Sequence, residues 1–75
     1  MKLAYDYSQL AGAITTKFGT QLNFANAMGL SERSISLKMN NQVGWKQGEM
    51  VKACSLLGIP FASIHEYFFT LKVQN

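Results

Sequence analysis

The stretch from Gln21 to Asn41 admits few folds, because a single glycine separates two short segments that both favour helix. Gly29 stands where the first segment should end, since glycine takes the left-handed conformation that stops a helix at little steric cost. Ser31 follows two residues later, and its hydroxyl is suited to accept a free backbone N–H in the first turn of a second helix. Ala25, four residues before the glycine, is small enough to let two helices cross closely. Ile35, six residues after it, supplies the apolar contact that closes the angle between them. The expectation over about residues 20–41 is two helices joined by a tight turn, the helix-turn-helix arrangement.

Helical periodicity continues on both sides. Leu10, Ile14 and Phe18 recur every four residues and predict a helix over Tyr7–Phe18, with Asp6 or Ser8 to cap it and Gly19 to end it. Thr20 then caps a helix over Gln21–Met28, and a third is expected over Glu32–Asn40. The polar run Asn40–Gly44 reads as a turn. A fourth helix is predicted over Trp45–Leu57, with Met50, Val51, Cys54 and Leu57 as its apolar stripe and Gly58 as its stop. Pro60 suits the first turn of a fifth, over Pro60–Thr70, with Ile64 and Phe68 facing inward. Leu71–Asn75 alternates apolar and polar residues and predicts a short strand. The sum is one all-α, five-helix domain over residues 1–75, with its C-terminal helix and tail at about 60–75.

The totals narrow the function. A chain of 75 residues makes one domain, and 48% hydrophobic content is that of a folded protein. A net charge of +3 leans weakly toward a polyanionic partner. A lone cysteine, Cys54, rules out an internal disulfide framework and suits the cytoplasm, and no run is long and apolar enough to span a bilayer. Catalysis is not expected: Glu32, Glu49 and Glu66 fall in three separate segments, and no glycine-rich phosphate loop exists. His65 lacks a second histidine, so neither a metal nor another cofactor is expected.

Gln21, Ala25, Gly29, Ser31, Ile35 and Asn40, followed by a helix ending Leu56-Leu57-Gly58-Ile59, give the chain a resemblance to the lambda-repressor and Cro-like helix-turn-helix superfamily. Phe24-Ala25, the run Gly29 to Ser34, Leu37-Lys38-Met39-Asn40 and Tyr67-Phe68-Phe69 are more closely similar to small prophage proteins of Gram-positive bacteria, of Cro-like or modulator-of-repression type. That resemblance implies a regulator of the lysogeny switch acting in a bacterial host, whose third helix docks in the major groove of double-stranded operator DNA. It implies that Gln21 and Asn40 touch phosphate and that Glu32, Arg33 and Leu37 reach base edges. Lys38 and Lys46 would add phosphate contacts, and Ser31, Ser34 and Ser36 backbone or base contacts. A single reading head covers few base pairs, so a homodimer or a partner would complete it.

The residues leave a competing reading open. Glu32 repels phosphate and Leu37 offers only an apolar contact, so the same face also suits a protein: the phage repressor, bound in an antirepressor role. Lys38 takes a slot that is more often apolar in the motif, with Met39 to fill the core in its place. Ser31 reads first as a cap, Asn40 and Asn41 as turn residues, and Trp45 as a half-buried anchor. At the C-terminus, Tyr67, Phe69 and Leu71 either fold back over the core or form an exposed oligomer or partner patch.

Overall fold

The computed structural model describes residues 4–72, and these form an all-α domain. Its helices are α1 (Ser8–Phe18), α2 (Gln21–Met28), α3 (Glu32–Met39), α4 (Gln47–Leu57) and α5 (Ile64–Phe68), with a 3-10 turn at Phe61–Ser63 before the last. Among the described residues no helix is long and apolar enough to cross a membrane.

Local chemistry sets most boundaries. The Thr20 hydroxyl accepts the Asn23 N–H and opens α2. Gly29, with φ of 73°, closes it, and the Leu30 N–H returns to the Ala25 carbonyl at 3.0 Å. Ala25 and Ile35 are both fully buried, as a close crossing of α2 over α3 requires. The core joins them to Leu10 and Ile14 of α1, Phe24 and Met28 of α2, Ala53 and Cys54 of α4, Ile59, and Phe68 of α5. Phe18 packs on Phe24 with ring centroids 5.5 Å apart.

Three expectations change. Asp6 and Ser8 do not cap α1 from its N-cap position, which Tyr7 holds; the Asp6 carboxylate instead accepts the Ser8 N–H. Helix α4 starts at Gln47, and its stripe runs through Met50, Ala53, Cys54 and Leu57, while Val51 lies exposed. The small Ala53 takes the inward position that completes the helical spacing. The expected Pro60–Thr70 helix is broken at both ends. Pro60 keeps an extended ψ of 136°, which leaves it outside the 3-10 turn. At the other end the Thr70 carbonyl is drawn away to accept the Asp6 N–H at 2.7 Å.

That last bond belongs to a pairing of the two chain ends. The Lys72 N–H donates to Ala4, and Tyr5 and Leu71 form a single antiparallel bridge. The expected strand is thus one bridging residue long at Leu71, while Val73, Gln74 and Asn75 lie outside the described residues. Asn41 clamps the pairing from the side. Its carboxamide accepts the Tyr5 N–H at 2.9 Å and donates to the Tyr5 carbonyl at 3.0 Å. Its own φ is +61°, a conformation asparagine tolerates better than most residues.

Asn41→Ala removes both bonds and puts a Cβ-bearing residue without local compensation into the left-handed region. The expected cost is about 2–3 kcal/mol in urea denaturation. Amide hydrogen exchange at Asp6 and Lys72 should accelerate, because the clamp holds the strand pairing those amides belong to.

Candidate functional site

Helix α3 presents its inward side through Ile35 and Lys38, so Glu32, Arg33, Ser36 and Leu37 turn outward. Together with Gln21, at the first turn of α2, these four line a shallow open cleft of about 360 Å³. Five of the residues singled out in the sequence therefore meet in one place. Ser31 sits at the N-cap of α3, where its Oγ accepts the Ser34 N–H at 3.1 Å and lies 3.1 Å from the Ser34 hydroxyl. Both serines are thereby engaged in forming the helix end. Asn40 turns its carboxamide back to the Ser36 carbonyl at 2.8 Å and lines a neighbouring cleft. Lys46 is exposed at the N-cap of α4, outside the cleft.

Lys38 is not where a phosphate ligand belongs. Only 6% of its side chain is exposed, and the ammonium lies under α3 against α4. There it pairs with Glu49 at 2.9 Å, donates to the Gly44 carbonyl at 3.2 Å, and stands 5.8 Å from the centre of the Trp45 ring. The lysine itself thus fills the inward slot expected of Met39, which is only partly buried. Burying an ammonium is costly unless it is both paired and hydrogen-bonded, and all its neighbours supply that here.

Glu49 completes the joint. Its carboxylate also accepts the Lys46 N–H at 2.9 Å, so one side chain opens α4 and anchors α3. Burial pushes its carboxyl up, but the hydrogen bonds from Lys46 and Lys38 and their positive charges outweigh this and hold it below the ordinary carboxylate range. A lowered folded value means that the pair stabilises the fold above the normal Glu range and loses that contribution as pH falls through the folded value.

The turn between α2 and α3 has a second tether that the sequence pattern did not reveal. Lys52 of α4 donates to the Met28 carbonyl at 3.2 Å, satisfying a carbonyl at the open end of α2. Trp45 is the half-buried anchor expected of it. It meets Phe68 edge-on with centroids 5.2 Å apart, and its buried indole N–H finds no hydrogen-bond partner.

These contacts decide the electrostatics of the outward face. Of the seven Lys and Arg residues, Lys38 is buried on internal acceptors, while Lys52 stays exposed and donates to the Met28 carbonyl. The cleft itself carries one acid, Glu32, one base, Arg33, and the half-buried apolar Leu37. Its formal charge is balanced. Cys54 is buried, and burial raises its thiol pKa, as suits a packing residue. The C-terminal group divides: Tyr67 packs against the core, while Phe69 and Leu71 remain 47% and 55% exposed. Tyr67 therefore does not share an exposed patch with them.

The family model described as "Protein of unknown function (DUF739)" matches residues 3–71. The chain is also similar to a solved structure, the solution structure of the modulator of repression (MOR) of the temperate bacteriophage TP901-1 from Lactococcus lactis. The two are 56% identical with a TM-score of 0.79, over 93% of this chain and 95% of that one. No curated protein matches the chain.

Removing one member of the buried pair should cost more than removing both. Lys38→Met leaves the Glu49 charge under α3 without its cation and is expected to destabilise by about 1–3 kcal/mol. Lys38→Met combined with Glu49→Leu should recover most of that loss. Urea denaturation of the two variants at neutral pH measures the difference.

Proposed function

We propose that this chain, which belongs to the DUF739 family, modulates repression in a temperate phage by binding the phage's repressor protein through the outward face of α2 and α3. What carries the reading is the 56% identity, over nearly the full length of both chains, to a protein described as a modulator of repression. The charge pattern of the face supports it from an independent direction.

In this reading α2, the Gly29 turn and α3 form a helix-turn-helix of the lambda-repressor and Cro-like kind, turned to protein recognition. Leu37, half-buried at the middle of α3, supplies the apolar centre of the contact. Glu32 meets a cationic group on the repressor's DNA-reading surface, and Arg33 meets an acid or carbonyl beside it. Gln21 and Ser36 complete the cleft with hydrogen bonds. Ser31 and Ser34 act on the face indirectly, by fixing the start of α3. Occupying the repressor's own reading surface withdraws it from operator DNA. The chain acts as a binding module, without catalysis or a cofactor, in the cytoplasm of the bacterial host.

A second reading, Cro-like binding of operator DNA by the same helix, has one observation in its favour: Arg33 is exposed at the first turn of α3, where its planar fork suits guanine. Against it stands the internal engagement of Lys38, which removes one of the expected phosphate contacts, and the placement of Glu32 at the leading end of the helix. Phosphate contacts supply most of the affinity of a small DNA reader, and this face has few to offer.

Calorimetric titration against the purified repressor of its own phage separates the two. The protein reading predicts binding that Leu37→Glu weakens by about a hundredfold or more, with an unchanged helical circular-dichroism spectrum. The DNA reading predicts instead a tight, steeply salt-dependent complex of the chain alone with operator duplex, in which Arg33→Ala relaxes selectivity at one base pair.

A further inference from the structure

A third cavity, of about 220 Å³, opens between the paired chain ends and the loop after α3. Tyr5, Tyr7, Val43, Trp45, Met50 and Phe69 supply most of its walls. Val43 and Phe69 are both close to half exposed, at 45% and 47%, although each is a good core residue. The space far exceeds the ~30 Å³ share of one water, and its walls are mainly aromatic and aliphatic.

The cavity is rigidly built. Asn41 clamps Tyr5 from one side, backbone bonds from Asp6 to Thr70 and from Lys72 to Ala4 hold the chain ends together, and Phe69 meets the Tyr5 ring edge-on at 6.1 Å. A preformed apolar pocket binds without first spending ordering entropy.

A neighbouring groove links it to the α2–α3 cleft. This groove, of about 460 Å³, shares Tyr5, Tyr7 and Asn41 with the aromatic cavity, and shares Gln21 with the cleft. Stable protein complexes cover about 800 Å² and some 20–30 residues on each partner. The cleft alone offers five residues. A repressor seated there must extend over neighbouring surface to reach a stable footprint, and the path through the groove ends in an apolar socket.

We infer that the cavity edged by Tyr5, Tyr7, Val43 and Phe69 is the second half of the repressor-binding surface and takes one apolar anchor side chain from the same repressor molecule. This rests on the reading of the α2–α3 face given above. The anchor is a leucine, isoleucine, methionine or phenylalanine on a segment flanking the repressor's DNA-reading helices. A protein side chain suits it better than DNA, since no charged residue lines it to hold a phosphate.

The test is titration of the purified repressor with Val43→Asp and Phe69→Asp, beside Leu37→Glu, with sedimentation of each variant alone. Both new variants should weaken the repressor complex by about tenfold or more while the chain keeps its wild-type melting temperature and mass in solution. Val43 serves as the independent probe, since Phe69 also touches Tyr5. Wild-type affinity in Val43→Asp, with binding lost in Leu37→Glu, would overturn the second site and leave the α2–α3 reading standing. A self-associated wild type that Val43→Asp and Phe69→Asp convert to monomer, with repressor affinity unchanged, would assign the cavity to a second copy and also overturn the inference. Absence of any repressor binding by the wild type would instead remove the reading on which it rests.

Discussion

The ion pair between Lys38 and Glu49 decides how the third helix is used. An ammonium brought beneath α3 must find an anion and a carbonyl or leave the interior, and it finds Glu49, Gly44 and the face of Trp45. Once it is held there, the rotation of α3 about its axis is fixed, because Ile35 and Lys38 both point into the protein. Glu32, Arg33, Ser36 and Leu37 then have no other direction than outward. The same contact ties down the loop at Gly44 and the start of α4 through Lys46. An apolar pair of equal volume would fill the space, but it would not tether that carbonyl.

The functional consequence is a matter of where positive charge goes. A net charge of +3 suggests a nucleic-acid partner only if the cations share a face. Here Lys38 is buried on internal acceptors beneath the end of α3, and the exposed Lys52 donates to the Met28 carbonyl at the turn. The buried Lys38 is thereby unavailable to phosphate. The outward cleft itself carries a balanced pair of charges around a leucine, a pattern that matches a protein surface more readily than a polyanion.

Much of this was legible in the residues, and the reason is locality. Helix α2 begins and ends at the predicted residues because Thr20 and Gly29 act within one turn of it. The Ala25 and Ile35 crossing and the Ser31 cap follow from spacing alone. The features missed depend on distant partners. Lys38 lies three residues after Ile35 and so on the same side of the helix, but its burial requires Glu49 from another helix. The Pro60–Thr70 segment had a helical pattern, yet Thr70 is claimed by Asp6 from the opposite end of the chain. Asn41 read as a turn residue, and nothing in its neighbourhood announced a clamp on Tyr5. Tyr67 looked as free as Phe69, and only the path of α5 across the core separates them.

The most direct test of the account is a residue-resolved NMR titration of the isotope-labelled chain, once with the repressor of its phage and once with operator duplex. The account predicts that the repressor shifts the amides of Gln21, Glu32, Arg33, Ser36 and Leu37 as a connected set, and that the duplex at physiological salt leaves them in place. Selective shifts of that set by operator DNA alone, with none from the repressor, would contradict it and make α3 a reader of bases.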